Sequence, residues 1–298
     1  MADTSGQAEI RGLDINKLAI AYEEEASIFK KYCAVSPTSA REIRWYRKAS
    51  GILSSPDTTA ITASQMSNVA FGARPVVVEQ SWTRLTSYVR KYFVESPWIS
   101  QEDINDSDVD ILAQNLRDLV LGIVYDMDKR IYNVATENYN PSAINTYAAD
   151  ADWDTASYTN VNIVEDIMEG LQNIRVNSGF DPLKYGVKLF LTSKDHRSMM
   201  NWLIDAKGSS IPSFASAKLQ TGVVMEILGC GVEITENVTA DKALMLLPNL
   251  AVAWKSFTPI TTAIITEEGI GKKIRVWEEG EALLLRPKCV NLITNTQT

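Results

Sequence analysis

Between Ser107 and Thr136, apolar side chains recur at Val109, Leu112, Leu116, Leu119, Val120, Ile123, Met127, Ile131 and Val134. Steps of three and four residues place them on one face of a helix. Ser107 suits the N-cap, and Asp108 and Asp110 fall in the first turn, where the helix dipole favours negative charge. The spacing predicts one helix over 107–136, roughly 40 Å long at 1.5 Å per residue. Asp118, Asp126 and Arg130 lie on its polar side, Arg130 four residues after Asp126, and are expected to face solvent or a neighbouring copy. A rod of that length needs a surface to lie on.

A second helical pattern runs through Leu13, Leu18, Ala21, Tyr22, Ala26, Phe29 and Tyr32, and Pro37 stops it. Two placements stay open: packing on its own domain, or reaching out as an arm to a neighbouring copy. Residues 41–48, REIRWYRK, read as a β run carrying Arg41, Arg44, Trp45, Arg47 and Lys48. A stretch rich in Ser, Thr, Ala and Gly follows, and the β-branched run Val76–Glu79 is expected to pair back on the first strand. The result is a long two-stranded excursion. Its basic strand could stack on nucleic acid or dock on an acidic surface of another subunit. Trp82–Val94 also fits a helix face, but its Thr, Tyr, Val and Phe content predicts one long strand.

Residues 137–160 are polar and turn-rich. Asn162 and Glu165 have the spacing of a capping box, ahead of a buried helical face at Val164, Ile167, Met168, Leu171 and Ile174. Gly179 and Pro182 close that helix. Gly186–Leu191 reads as a buried strand, and Thr192 or Ser193 as the cap of a further helix bearing Met199, Met200 and Leu203. Short strands follow. From Ile260 the chain is β throughout, with a turn at Gly269–Gly271, which suggests an antiparallel meander. The helix over 107–136 is therefore expected to lie across a sheet built from both ends of the chain, with 140–254 as a separate lobe.

Composition acts on this picture by exclusion. At 298 residues, 45% hydrophobic and 22% charged, the chain has ordinary globular proportions. No apolar run approaches the ~20 residues that cross a bilayer. The start, MADTSGQAEIRGLDINK, lacks a signal peptide's basic end and apolar core, so a cytoplasmic protein is expected. A net charge of −8 argues against coating nucleic acid by phosphate neutralisation. His196 is the single histidine and excludes multi-histidine metal sites. Ser193, Asp195 and His196 share one helical turn, and neighbouring positions point about 100° apart, so they cannot form a relay. Gly269–Lys273 lacks the first glycine and the final Ser or Thr of a phosphate loop. The carboxylates at 103–110, 150–154 and 278–281 lack a calcium-loop pattern. Cys33, Cys230 and Cys289 form no CxxC pair and read as core filling. No catalytic residue, metal site or cofactor is expected.

The order of elements resembles the major capsid proteins of tailed double-stranded DNA viruses. Three segments carry the resemblance: Val78–Asn133, with its acidic helix start and YDMDKRIYN; Ile163–Leu203, with NIVEDIMEGLQNIR just ahead of and within it, GFDP and KLFLTSKDHRSMMNWL; and Leu244–Thr294, with LLPNLAVAWKSF, ITTAIITEE and EALLLRPKCVNLIT. It implies an α+β fold of the tailed-phage major capsid type: an amino-terminal arm (1–36), an extended two-stranded loop (37–80), a peripheral domain (81–139 and 255–298) with its spine helix at 107–136, and a mixed α/β axial domain (140–254). It implies a structural subunit, not an enzyme. Such subunits assemble with themselves into hexamers and pentamers of an icosahedral head around double-stranded DNA, without sequence-specific binding or a membrane. The head is a virion assembled in the host cytoplasm, with separate scaffolding, portal and decoration proteins as partners. Arg41, Arg44, Trp45, Arg47, Lys48, Asp126 and Arg130 are the candidate subunit-interface residues. About 36 residues precede the loop, so no fused scaffolding domain is expected. Some family members crosslink a loop lysine to a neighbour's asparagine; Lys48 lies in that loop, but no partner is visible and no crosslink is expected. Two competing readings are an encapsulin-like shell holding cargo enzymes and a soluble α+β enzyme.

Overall fold

A computed structural model of the chain describes residues 12–48, 71–72, 82–106, 111–141, 143–155, 161–205 and 226–298. In chain order the elements are α1 (Gly12–Ala26), β1 (Ala34–Pro37), β2 (Glu42–Lys48), β3 (Trp82–Tyr88), β4 (Arg90–Glu95), β5 (Ile99–Ser100), α2 (Gln101–Asp106) and α3 (Ile111–Ala135). They continue with β6 (Asn145–Ala148), α4 (Ile163–Ser178), β7 (Lys188–Leu191), α5 (Ser193–Asp205), β8 (Glu226–Ile227), β9 (Cys230–Ile234), β10 (Lys242–Leu246), β11 (Val252–Glu267), β12 (Gly271–Leu284) and β13 (Val290–Thr294).

The first sheet has the order β1-β11-β12-β4, with β5 also on β12. Its centre is the β11–β12 hairpin, paired from Val252↔Leu284 to Glu267↔Gly271. The glycine turn closes as the sequence predicts, with the Ile270 N–H donating to Glu267 O at 3.2 Å. Gly271 holds φ at +151°, and a Cβ there would lie 1.9 Å from Ile99 O, so only glycine lets β5 come this close. Both ends of the chain contribute: β1 joins β11 in parallel and β4 joins β12 antiparallel. Helix α3 lies on this sheet and buries Leu116, Val120, Ile123, Val124, Met127, Ile131 and Tyr132. The rod found its surface as expected; its proposed cap, Ser107, lies outside the described residues.

The second sheet has the order β6-β13-β10-β7-β9-β8, with α4 packed against β6 and β13. Gly179 ends α4 in the left-handed region (φ +74°), its N–H donating to Arg175 O at 3.1 Å. The capping box does not form. The Asn162 side chain donates to Glu165 Oε2 (2.7 Å) instead of accepting a backbone N–H. At α5 the cap is Thr192, not Ser193: Thr192 Oγ1 accepts the Asp195 N–H (3.1 Å) and donates to Asp195 Oδ2 (2.7 Å). Ser193 binds Glu236 instead.

Three further expectations change. The closing strand leaves the meander: β13 pairs with β6 in parallel and β10 antiparallel, inside the second sheet, while Val252–Trp254 stand in the first. Val290, Asn291, Leu292 and Ile293 are all buried, which suits a central strand covered on both faces. A single buried cluster runs through both sheets. Secondly, 82–95 is two strands broken at Val89, and β3 pairs with β2. Val76–Glu79 lies outside the described residues. Thirdly, the first helix ends at Ala26, and a 3-10 turn at Lys30–Tyr32 leads into β1. The Asp128 carboxylate on α3 accepts the N–H groups of Ile28 (2.8 Å), Phe29 (3.2 Å) and Lys30 (3.3 Å) and so draws the chain out of its helix. Helix α1 packs on its own chain, against β11 and α3, with Ile15 and Ala19 buried.

Candidate subunit interface

Strands β2 and β3 form a two-stranded sheet of their own, in register from Glu42↔Tyr88 to Lys48↔Trp82. Directly opposed residues share a face. One face holds the pairs Glu42/Tyr88, Arg44/Thr86, Tyr46/Arg84 and Lys48/Trp82; all but Lys48, which is half-buried, are exposed. Tyr46 is 57% and Tyr88 67% accessible. The Lys48 ammonium sits 5.8 Å from the Trp82 ring centroid, and Arg44 Nε donates to Glu42 at 2.9 Å. Tyrosine, tryptophan and arginine concentrated this way match the residue types enriched at interface hot spots.

The opposite face holds the hairpin in place. Ile43 is buried, and the Trp45 indole N–H donates to Ser87 Oγ at 3.0 Å. Arg47 makes a two-pronged bond to Glu137, just past the end of α3, with Nη1 at 2.5 Å from Oε1. Arg41 reaches Glu279 at 3.2 Å and lies 5.0 Å from the Phe257 centroid. Of the hairpin residues singled out from sequence, Arg44 and Lys48 therefore share the outward face, Trp45 ties β2 to β3, and Arg41 and Arg47 anchor the hairpin to the body. Tyr46, Trp82, Arg84 and Tyr88 were missed. The alternation within 41–48 carries that signal, but only once the true partner strand is known.

Arg130 is not on an outward stripe. Its guanidinium donates twice to Glu281 Oε1, at 2.9 and 2.7 Å, and Arg90 takes the other oxygen at 3.0 Å. Glu281 is buried and needs those partners. Asp126 stays exposed. The carboxylate run 278–281 is thus a buried row gripped by cations from several elements. Burial pushes Glu278 up to about 7, although Lys30 bonds it at 2.6 Å. Lys30 also bonds Glu23; burial would lower its ammonium, but the two carboxylates outweigh burial and raise it. Burial likewise carries Asp128 to about 6, against the pull of its three backbone donors.

No catalytic arrangement emerges from the sequence candidates. Asp195 bonds Thr192, Ser193 bonds Glu236, and burial lowers His196. Cys33, Cys230 and Cys289 are buried, and burial raises their thiols, to about 12 for Cys230 and about 11 for Cys289. Among the described residues, no three His, Cys, Asp or Glu side chains are grouped to hold a metal, and no helix is long and apolar enough to cross a membrane.

No protein-family model matches the sequence, and no curated protein does either. Solved structures match in shape. A virus-like particle from Pyrococcus furiosus aligns with a TM-score of 0.59 and 12% identity, over 94% of this chain and 98% of that one. The capsid of Cyanophage P-SCSP1u gives 0.63 and 11%, over 100% and 93%. A structure of Mycobacterium phage Che8 gives 0.57 and 15%, over 100% and 96%. At such identities the likeness is one of fold: along nearly its whole length, this chain has the α+β fold of tailed-phage major capsid proteins.

Proposed function

We propose that the chain is a major capsid subunit that assembles with itself into hexamers and pentamers of an icosahedral head around double-stranded DNA. The observation that carries this reading is the end-to-end match to capsid and virus-like-particle structures. The hairpin supports it: a stalk fastened by Arg47–Glu137 carries a basic and aromatic face that its own chain leaves exposed. A surface of that kind meeting a different surface on the next copy gives head-to-tail contacts, which close into rings. On this reading Arg44, Lys48 and Asp126 meet the neighbour, and Arg41, Trp45, Arg47 and Arg130 fix the elements that present them. The net charge of −8 suits a container that does not trap its DNA. Scaffolding, portal and decoration proteins would be separate partners, and the subunit's role is mechanical, not catalytic.

Electron microscopy and sedimentation of the purified protein test this. Closed shells are expected; a strictly monomeric species under every assembly condition would refute the reading. Nucleic acid inside native particles is expected, and a cargo enzyme in its place would move the assignment to a compartment shell. Deleting residues 38–75 should leave the lobe around the second sheet folded but prevent stable shells. Particles of normal stability from that variant would show the hairpin's role to be wrong.

A further inference from the structure

Helix α3 ends in an uncommon way. The three residues after Thr136 all have positive φ: Glu137 at +47°, Asn138 at +53° and Tyr139 at +66°. The other non-glycine residues with positive φ, Leu228, Asp241, Asn249 and Asn295, stand singly. Left-handed backbone brings the Cβ of an L-residue too close to the following carbonyl oxygen, and of these three only asparagine tolerates it well. A glycine would meet the same need without the steric cost, as Gly179 does at the end of α4. The chain instead places glutamate and tyrosine there, so contacts outside the turn have to hold it.

Those contacts come from separate parts of the molecule. The helix end closes the turn through the backbone: the N–H groups of Glu137, Asn138 and Tyr139 donate to Val134 O (3.1 Å), Asn133 O (3.0 Å) and Thr136 O (2.8 Å). From the β2–β3 hairpin, Arg47 grips the Glu137 carboxylate with both Nη groups. From the side of the second sheet, Thr239 shares a hydrogen bond with the Tyr139 hydroxyl. The Lys242 ammonium, at the start of β10, lies 3.2 Å from the Tyr139 ring centroid. The two residues that resist the left-handed form are thus the two gripped from outside, one by the hairpin and one by the second sheet. Asn138, which tolerates that form, is exposed.

We propose that Glu137–Tyr139 is a strained joint that couples the hairpin to the second sheet. With Arg47 on Glu137 the joint stays left-handed and keeps Tyr139 on Thr239 and Lys242. When the hairpin is drawn away, the backbone relaxes and Tyr139 lets go. Both anchors stabilise the same backbone state, so each strengthens the other, and coupling of this kind is reciprocal. The joint lies within one subunit and does not depend on the capsid reading. In a shell it would pass a displacement of the hairpin on to the start of β10.

Amide hydrogen exchange on the unassembled full chain tests the proposal. Arg47→Ala should speed exchange at Asn138 and Tyr139 by about 5-fold, while α4 and β13 keep the parent rates. Unchanged rates at the turn overturn the proposal, and so does an acceleration spread equally over α4 and β13. Adding Glu137→Gly to Arg47→Ala separates strain from the mere loss of a contact. The Glu137 carboxylate has then already lost its partner, and glycine adopts positive φ freely, so exchange at Asn138 and Tyr139 should slow again by at least ~3-fold. Without stored strain the more flexible glycine would speed exchange further, and that result overturns the proposal. Tyr139→Phe removes the hydroxyl, keeps the ring and reads the coupling in the other direction. The β2 amides should then exchange ~3-fold faster. β2 amides that keep the parent rate overturn the coupling.

Discussion

Asp128→Ala is the sharpest probe of how α1 and β1 are fastened to the body. The substitution orphans three N–H donors, of which Phe29 is wholly buried and Ile28 and Lys30 partly so. At about 1–3 kcal/mol for each unsatisfied buried group, with water rescuing the outer two in part, the loss is about 4 kcal/mol. The parent carries an opposing cost, because its carboxyl is lifted from 3.8 to about 6 by burial. A carboxyl raised on folding contributes stability that is full below 3.8 and is lost as pH rises through about 6. At pH 8 that cost is about 3 kcal/mol, which leaves a net deficit for the variant of about 1 kcal/mol. At pH 5 only about half of the cost remains, so the deficit grows by about 1.4 kcal/mol. At about 2–4 °C per kcal/mol, the gap between parent and variant melting temperatures should widen by about 3–6 °C from pH 8 to pH 5. Thermal melts of the unassembled subunit at both pH values measure it. A gap that stays constant or narrows would refute both the buried carboxylate and its sign.

Other outcomes follow from the same geometry. Gly271→Ala should cost about 3 kcal/mol or prevent folding, because its Cβ meets Ile99 O; Gly122→Ala, exposed on α3 with open space around it, should gain about 1 kcal/mol. Chemical denaturation of the two variants would contradict this if their order were reversed. All three cysteines should resist a bulky thiol reagent at pH 8 for as long as the fold persists and react together on unfolding, since burial holds their thiols protonated. Arg47→Ala should weaken the hairpin's anchorage by about 1 kcal/mol, seen as faster proteolysis between Lys48 and Trp82 with an unchanged rate in the second sheet. Equal acceleration in both regions would mean that Arg47 supports the whole fold.

The parts of this fold that local periodicity encodes were legible. The nine apolar positions of 107–136 require a helical face, and the glycine turn between two β runs requires a hairpin. The choice of strand partners was not. Val76–Glu79 and Trp82–Tyr88 are both rich in β-forming residues, and nothing local says which one pairs with 42–48. The same blindness affected charges. Asp126 and Arg130 have the spacing of a helical ion pair, yet Arg130 turns to Glu281, 151 positions away. The acidic run 278–281 resembles a solvated turn. Only the fold brings Lys30, Arg41, Arg90, Lys91 and Arg130 around it and makes its burial tolerable. The candidate interface residues were found by charge, but their division into outward and anchoring roles needed the register.

The position of β13 bears on how the chain is made. Strands β6 and β10 each pair with it, so residues 145–148 and 242–246 have to wait for residues 290–294. At about 5–20 residues per second, the ~140 residues between β6 and β13 take some 7–28 s to synthesise. During that interval β6 lacks its partner, and over the last ~44 residues the apolar strand β10 also stands on the nascent chain without the neighbour that separates it from β6. The second sheet would therefore close only once residues 290–294 have emerged, and chaperone occupancy of the 145–246 region should be highest just before that point.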